Sequence, residues 1–316
     1  MNISMRHLRY LEALVRHGHF GRAAEACSIT QPALSIQIRE LEEIVGTPLV
    51  ERSARGVRPT GLGEVFAGRA RDILRAVDEL GELARASRAT FSGPLRLGVI
   101  PTIAPYLLPR LVVALAERLP GIDLRPREAV TGTLLADLLD GRLDVALLAL
   151  PVSEPALVEC PLFDEEFLLV RSARDAEAPA PMLEDLRRMR LLLLEEGHCF
   201  RDQALAYCRL PSLRSGDVIE GNSLTTLVQL VGAGLGVTLV PEMAVAVETG
   251  SAPVAATRLP EPRPTRTVGM VWRRSNPLAS RFESMAEMLR KWLPETEGAD
   301  ARPFRSSPAS PPPSQT

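Results

Sequence analysis

Lysine is nearly absent from this 316-residue chain: Lys291 is the only one, and arginine carries almost all the positive charge. Aromatics are scarce as well, at 4% of residues, so the cores have to be built from Leu, Val and Ala. No apolar run approaches the roughly 18 residues that a membrane-crossing helix needs, and Met1–Arg6 leads into a segment broken by Arg9, Glu12 and Arg16, unlike a secretory leader. Four cysteines are too few for the disulfide framework of a secreted protein. The expected setting is therefore the cytoplasm, where thiols stay reduced and any disulfide is regulatory or catalytic. The formal charge of −2 excludes a uniformly basic nucleic-acid binder. Charge is unevenly placed, however. Met1–Arg71 holds 10 Arg against 7 Glu, a net of +3, which leaves −5 for the remainder and points the N-terminus toward an anion.

The N-terminal sixty residues read as helices. Leu8, Leu11, Leu14 and Val15 fall at helical spacing up to His17-Gly18, and Phe20–Cys27 forms a second helix. Thr30 is a good cap for a third, with Pro32 in its first turn and Gly46 at its end. Helix, short turn and capped helix make a helix-turn-helix, and Leu49–Thr60 suits a β-hairpin wing. At the start of the third helix Gln31, Ser35 and Gln37 are short or bidentate enough to read base edges. Arg52, Arg55 and Arg58 on the wing would meet phosphates or the minor groove.

From Gly63 to Arg88 the apolar residues Phe66, Ala70, Ile73, Val77, Leu80 and Ala84 step by fours and threes, as in a coiled-coil seam. Either the helix packs on its own domain or it joins two chains. After Ser92-Gly93-Pro94 strands alternate with helices: Leu95–Ile100, Ile122–Arg127, Val145–Leu150, Phe167–Val170, Leu191–Leu194, Gly236–Val240 and Val268–Trp272 read as strands. Such alternation implies parallel α/β sheets, and the length suits two lobes with a cleft. The chain thus divides into 1–62, 63–91, 92–294 and a Pro- and Ser-rich tail over 295–316, expected to be disordered. Within 92–294 one lobe takes about 92–165 and 267–294, the other about 166–266. Gly232–Gly236 lacks the spacing of a nucleotide-binding loop and reads as a tight turn.

Cys199 stands where a strand ends and a helix begins, next to His198 and close to Arg201 and Asp202. A thiol at a helix N-terminus beside His and Arg should be partly ionised, and a thiolate attacks peroxide to give a sulfenic acid. Cys208 follows nine positions later. If the intervening residues are helical, the pair is about 13 Å apart, beyond the roughly 7 Å that a disulfide spans, so the two can join only if the helix unwinds. Cys27 and Cys160 read as structural. No His, Cys or acidic spacing suggests a metal site, and no cofactor is implied.

The stretch FGRAAEACSITQPALSIQIRELEEIVGTPLVERSARGVRPTGLGE resembles the DNA-binding domain of LysR-type transcriptional regulators, through Ala23-Ala24, Gln31-Pro32, Ser35, Ile38, Leu41-Glu42, Gly46, Glu51-Arg52 and Thr60. The segments GPLRLGVIPTIAPYLLPRL, PLFDEEFLLV and EEGHCFRDQALAYC resemble the peroxide-sensing OxyR branch of that family. The resemblance implies an α/β protein with an all-α N-terminal part: a winged helix-turn-helix, a dimerising linker helix, and a two-lobed effector domain like periplasmic binding proteins. It implies a homotetramer built as a dimer of dimers, acting on double-stranded promoter DNA and in reach of RNA polymerase. It further implies a regulator rather than an enzyme, with Cys199 as peroxidatic and Cys208 as resolving cysteine. Thr102, Thr131, His198, Arg201, Asp202 and Arg266 would surround the thiol and bind hydrogen peroxide, while Thr30, Gln31 and Pro32 would join the DNA contacts. Residue by residue, Thr102 and Thr131 could equally cap the helices that follow them. A regulator answering to an organic metabolite and a thiol peroxidase are the competing readings.

Overall fold

A computed structural model describes residues 2–53, 56–86, 91–208 and 219–297. The first helix, α1 (Met5–His17), starts at a capping box in which Ser4 and His7 exchange side-chain and backbone hydrogen bonds. Next come α2 (Phe20–Ala26) and α3 (Gln31–Val45). The Thr30 hydroxyl accepts the Ala33 N–H at 3.4 Å, and Gly46 ends α3 in the left-handed region. Leu11, Leu14, Ala23, Leu34 and Leu41, all fully buried, form the core of this three-helix unit. The wing is the antiparallel pair β1 (Val50–Ser53) and β2 (Gly56–Pro59). Glu42 anchors its base by accepting the N–H groups of Leu49 and Val50 at 2.8 and 3.1 Å.

The long helix α4 (Gly61–Ala86) divides the seam residues between two roles. Ala67 and Ala70 are buried, and α4 lies along α1, so its first half belongs to the winged unit. Farther on, Ile73, Val77 and Leu80 stand exposed in a row. Near its end Glu82 is buried: Arg96 reaches it at 3.2 Å and Arg273 approaches within 3.9 Å. An acid on the linker is thereby held between two arginines of the effector domain.

The effector domain has two separate cores. The first lobe contains β3 (Gly93–Val99), α5 (Ala104–Arg118), β4 (Ile122–Glu128), α6 (Thr131–Leu139) and β5 (Val145–Leu150). The chain then enters β6 (Leu157–Ser172) and continues through α7 (Leu183–Leu186), β7 (Leu192–Leu194), α8 (Cys199–Tyr207), β8 (Ile219–Gly221) and α9 (Leu224–Gly232). It ends with β9 (Thr238–Pro241), α10 (Glu242–Glu248), β10 (Val254–Arg258), β11 (Thr265–Arg273) and α11 (Ala279–Glu297). Parallel pairing, expected throughout, holds for β4–β3–β5 and β7–β8. Strands β6, β9, β10 and β11 pair antiparallel.

The difference comes from β6. Read as a short strand over Phe167–Val170, it runs sixteen residues, its first half pairing with β11 and its second with β9 and β10. One strand thereby serves both lobes. Pro161 hides its first half from a pattern reading, yet Pro161 lies at the register shift opposite Gly269, where the ladder tolerates a missing N–H. The turn after α9 is tight, as the glycines suggested: a Cβ on Gly236 would lie 2.2 Å from the Arg190 carbonyl oxygen. Helix α11 runs to Glu297, three residues into the tail expected to be disordered; the rest of the tail lies outside the described residues.

Candidate redox pocket and nucleic-acid face

Strand β7 ends at Leu194, Gly197 turns the chain in the left-handed region, and His198 sits in the N-cap position of α8. This makes Cys199 the first residue of the helix, at the end where backbone N–H groups lack intrahelical partners. Cys199 is half-buried and packs on the core of the first lobe, although its helix belongs to the second. The opposite wall comes from Pro101 and Thr102 after β3, and from Val130 and Thr131 at the start of α6. These residues pack closely around a narrow crevice that leaves no room for a water-sized sphere.

Both threonines face this pocket and neither caps a helix; the cap positions are Ile103 and Val130. Thr102 is buried, and its hydroxyl accepts Arg266 Nη1 at 2.8 Å while its carbonyl accepts Nη2 at 3.0 Å. The Thr102 hydroxyl keeps its own proton to donate. The Thr131 hydroxyl oxygen is buried and has no hydrogen-bond partner. Buried hydroxyls are rarely left so, and this one borders the space beside Cys199. Burial lowers the His198 pKa, against the pull of Glu195, so the imidazole is neutral near pH 7.

Arg266 lies behind Thr102 rather than against the thiol. Its Nε donates to Glu165 at 2.7 Å, and its guanidinium lies 5.9 Å from the centre of the Phe200 ring. Burial pushes the Glu165 carboxyl up, an effect that Arg266 opposes. Two of the expected neighbours stand elsewhere. Arg201 donates to the Leu194 carbonyl at 2.9 Å and to Glu220 at 2.7 Å, tying α8 to β7 and β8. Asp202 is exposed in the first turn of α8, where its charge suits the helix dipole. Two positions turn Arg201 by about 200° to the far side of the helix, and Asp202, though on the same side as Cys199, faces solvent, so proximity in sequence to Cys199 did not bring either one into the pocket.

Sequence reading missed Glu165 and Tyr106. Glu165 belongs to an acidic run that looks solvated, and its partner lies 101 positions away. Tyr106 donates to Glu248 at 2.6 Å across the lobes, and burial keeps its phenol protonated.

Cys208 closes α8 at the other end. It is fully buried in the core of the second lobe, its carbonyl accepts Arg187 Nε at 2.8 Å, and burial pushes its thiol up to about 11. All four cysteines are free thiols. Cys27 is half-buried on the winged unit, and Cys160 Sγ lies 2.9 Å from Arg290 Nη2.

On the winged unit Thr30, Gln31 and Pro32 are exposed at the start of α3. Gln37 donates to Glu40 at 2.5 Å. Arg52 donates to Ser35 at 2.9 Å and stacks over Phe20 at 4.5 Å, which draws the wing onto the helix. Arg58 is exposed on β2, and Arg55 lies outside the described residues.

Two family models match this arrangement: the bacterial regulatory helix-turn-helix protein of the lysR family over residues 5–64, and the LysR substrate binding domain over residues 88–294. The chain belongs to the LysR family. Within it the similarity is to the OxyR branch. The DNA-binding transcriptional dual regulator OxyR of Escherichia coli K12 is 42% identical over 91% of this chain and 95% of its own length. A probable hydrogen peroxide-inducible genes activator of Streptomyces viridosporus is 44% identical over 91% and 94%. Among solved structures, a full-length OxyR variant of Pseudomonas aeruginosa has a TM-score of 0.71 at 35% identity, covering 92% of this chain and 95% of its own. A hydrogen-peroxide-bound OxyR mutant of Corynebacterium glutamicum has a TM-score of 0.64 at 34% identity, covering 97% and 99%.

Proposed function

We propose that this LysR-family chain is a transcription factor that senses hydrogen peroxide through Cys199 and Cys208 and controls oxidative-stress genes. The observation that carries the reading is the buried Thr131 hydroxyl without a partner, in the same pocket as Cys199. Hydrogen peroxide is small, neutral, and both donor and acceptor, so it suits the Thr102 and Thr131 hydroxyls together. The Cys199 thiolate attacks one peroxide oxygen. The O–O bond breaks with its electron pair on the departing hydroxide, which takes a proton to become water, and Cys199 becomes a sulfenic acid. Once Cys208 is released from its buried setting and gives up its proton, its sulfur attacks the Cys199 sulfur, the S–O bond breaks with its electron pair on oxygen, and the hydroxide takes up a proton to leave as a second water with a disulfide behind.

Nine positions along α8 set the two cysteines about 13 Å apart, so closing the disulfide requires α8 to unwind. Chemistry at the pocket is thereby converted into a backbone rearrangement of the second lobe. The output runs through α4 to the winged unit, which binds double-stranded promoter DNA. The exposed row Ile73, Val77 and Leu80 suits pairing of two α4 helices, and a dimer of dimers acting beside RNA polymerase in the cytoplasm is the assembly we propose.

The test is to treat the reduced full-length protein with micromolar peroxide, map its disulfides, and footprint both redox forms on a promoter. A Cys199–Cys208 disulfide with an altered footprint is expected. A folded protein whose Cys199 and Cys208 stay reduced would sink the reading, and a response that survives Cys199→Ser would favour a bound metabolite.

A further inference from the structure

The pocket around Cys199 shares a wall with a larger space. Pro101, Thr102, Val130 and His198 border both the pocket and a cleft of about 460 Å³ between the lobes. The cleft is lined mainly by apolar groups, with polar side chains on both sides, and its charged side chains among the described residues are of one sign. Glu128 at the end of β4 lines it from the first lobe, and Glu248 at the end of α10 lines it from the second. Among the described residues no arginine or lysine borders it. Tyr106 and Thr225 hold the buried Glu248 carboxylate by donating to it at 2.6 and 3.2 Å. His198 is neutral near pH 7. The Arg266 guanidinium stands behind Thr102, buried and paired with Glu165.

We infer that this cleft is the route by which an oxidant reaches Cys199, and that Glu128 and Glu248 make the route selective for neutral oxidants over anionic ones. The inference rests on Cys199 being the reactive thiol. Size alone does not separate hydrogen peroxide from small anionic peroxides, whereas two carboxylates in a confined cleft repel anions on the way in. Each carboxylate should contribute roughly threefold at low salt.

Two alkylating reagents of nearly the same size isolate the charge. With iodoacetamide or iodoacetate the thiolate sulfur forms a bond to carbon while the C–I bond breaks and iodide leaves with the electron pair. Reduced full-length protein is labelled with each, and Cys199 modification is followed by peptide mass spectrometry, with a small free thiol as reference. At Cys199 the amide-to-acetate rate ratio should exceed that of the reference by about tenfold at low salt. Glu128→Gln, at an exposed position, should lower it about threefold, and Glu128→Lys further. Half-molar salt should bring all the proteins together. In parallel, oxidation by hydrogen peroxide is compared with oxidation by peroxymonosulfate, whose terminal oxygen passes to sulfur while sulfate leaves with the electron pair. The same ratio in the original protein and Glu128→Gln overturns the inference, even where peroxide oxidises Cys199. Oxidation by peroxide with no labelling by iodoacetamide overturns the cleft as an open route. Failure of hydrogen peroxide to oxidise Cys199, with charge-selective labelling intact, removes the peroxide reading and leaves the cleft selectivity standing.

Discussion

Cys199 and Cys208 occupy the two ends of α8 and pack on two different cores, Cys199 against that of the first lobe and Cys208 inside that of the second. The helix therefore holds the thiols apart with packing at both ends. Cys208 carries a measurable consequence. Its thiol titrates at about 11 in the folded state against an ordinary value near 9. Between those values the unfolded chain has lost the proton and the folded chain keeps it, so stability falls as pH rises through this window, by about 2–3 kcal/mol. Urea unfolding at pH 8 and pH 10.5 should show the loss in the original protein and a smaller one in Cys208→Ala. Equal losses would mean that the thiol is not as buried as described.

Thr131→Val should separate function from stability. The substitution keeps the shape and removes a buried hydroxyl that has no protein partner, so the melting temperature should stay level or rise slightly. If the hydroxyl binds peroxide, the rate of sulfenic acid formation at Cys199 should drop by about tenfold. Stopped-flow oxidation beside thermal melts decides it; a stability loss with an unchanged rate would assign Thr131 to the fold alone.

Thr102→Val should behave differently. Here the hydroxyl accepts from the buried Arg266, and its loss leaves a guanidinium N–H short of a partner at a cost of about 1–3 kcal/mol. Chemical denaturation should therefore rank Thr102→Val well below Thr131→Val. Equal stabilities would show that Arg266 re-pairs readily.

Glu82→Ala removes the linker carboxylate that lies between Arg96 and Arg273. Breaking a buried ion pair from one side costs about 3–5 kcal/mol; because Arg96 keeps Asp144 at 2.5 Å, the lower end is expected. Differential scanning calorimetry of the full chain should place the loss in the transition that includes the effector domain.

On the winged unit Arg52 and Ser35 act as a bonded pair. Ser35→Ala and Arg52→Ala should each weaken promoter binding, and the double variant should lose less than the two single losses combined. If Arg52 also reaches a phosphate, its replacement should lower the salt slope by about one unit. Strict additivity in a binding titration would dissolve the pair.

Much of this architecture was written locally. Thr30, Pro32 and Gly46 mark the ends of α3, and caps act within one turn, so their positions are legible without the rest of the chain. The same holds for α8, whose start at Cys199 and end near Cys208 follow from short-range signals. What the local pattern concealed was direction. Arg201 and Asp202 share a turn with Cys199, yet one ties the helix to Glu220 and the other faces solvent, because the rotation of α8 is set by Phe200 and Ala204 entering the core of the second lobe.

Residue order by itself determined that a helix-turn-helix precedes an alternating α/β region, that two cysteines lie nine positions apart, and that the net positive charge sits in the N-terminal part. Tertiary structure alone decided which groups gather behind the pocket. Arg266 meets Glu165 from 101 positions away and Thr102 from 164, and β6 and β11 set Arg266 beside Glu165 by antiparallel pairing that no periodicity announces. The physical reason is range. Caps and hydrophobic periods are governed by neighbours a few residues away, whereas a buried ion pair takes its partner from whichever strand the fold sets beside it.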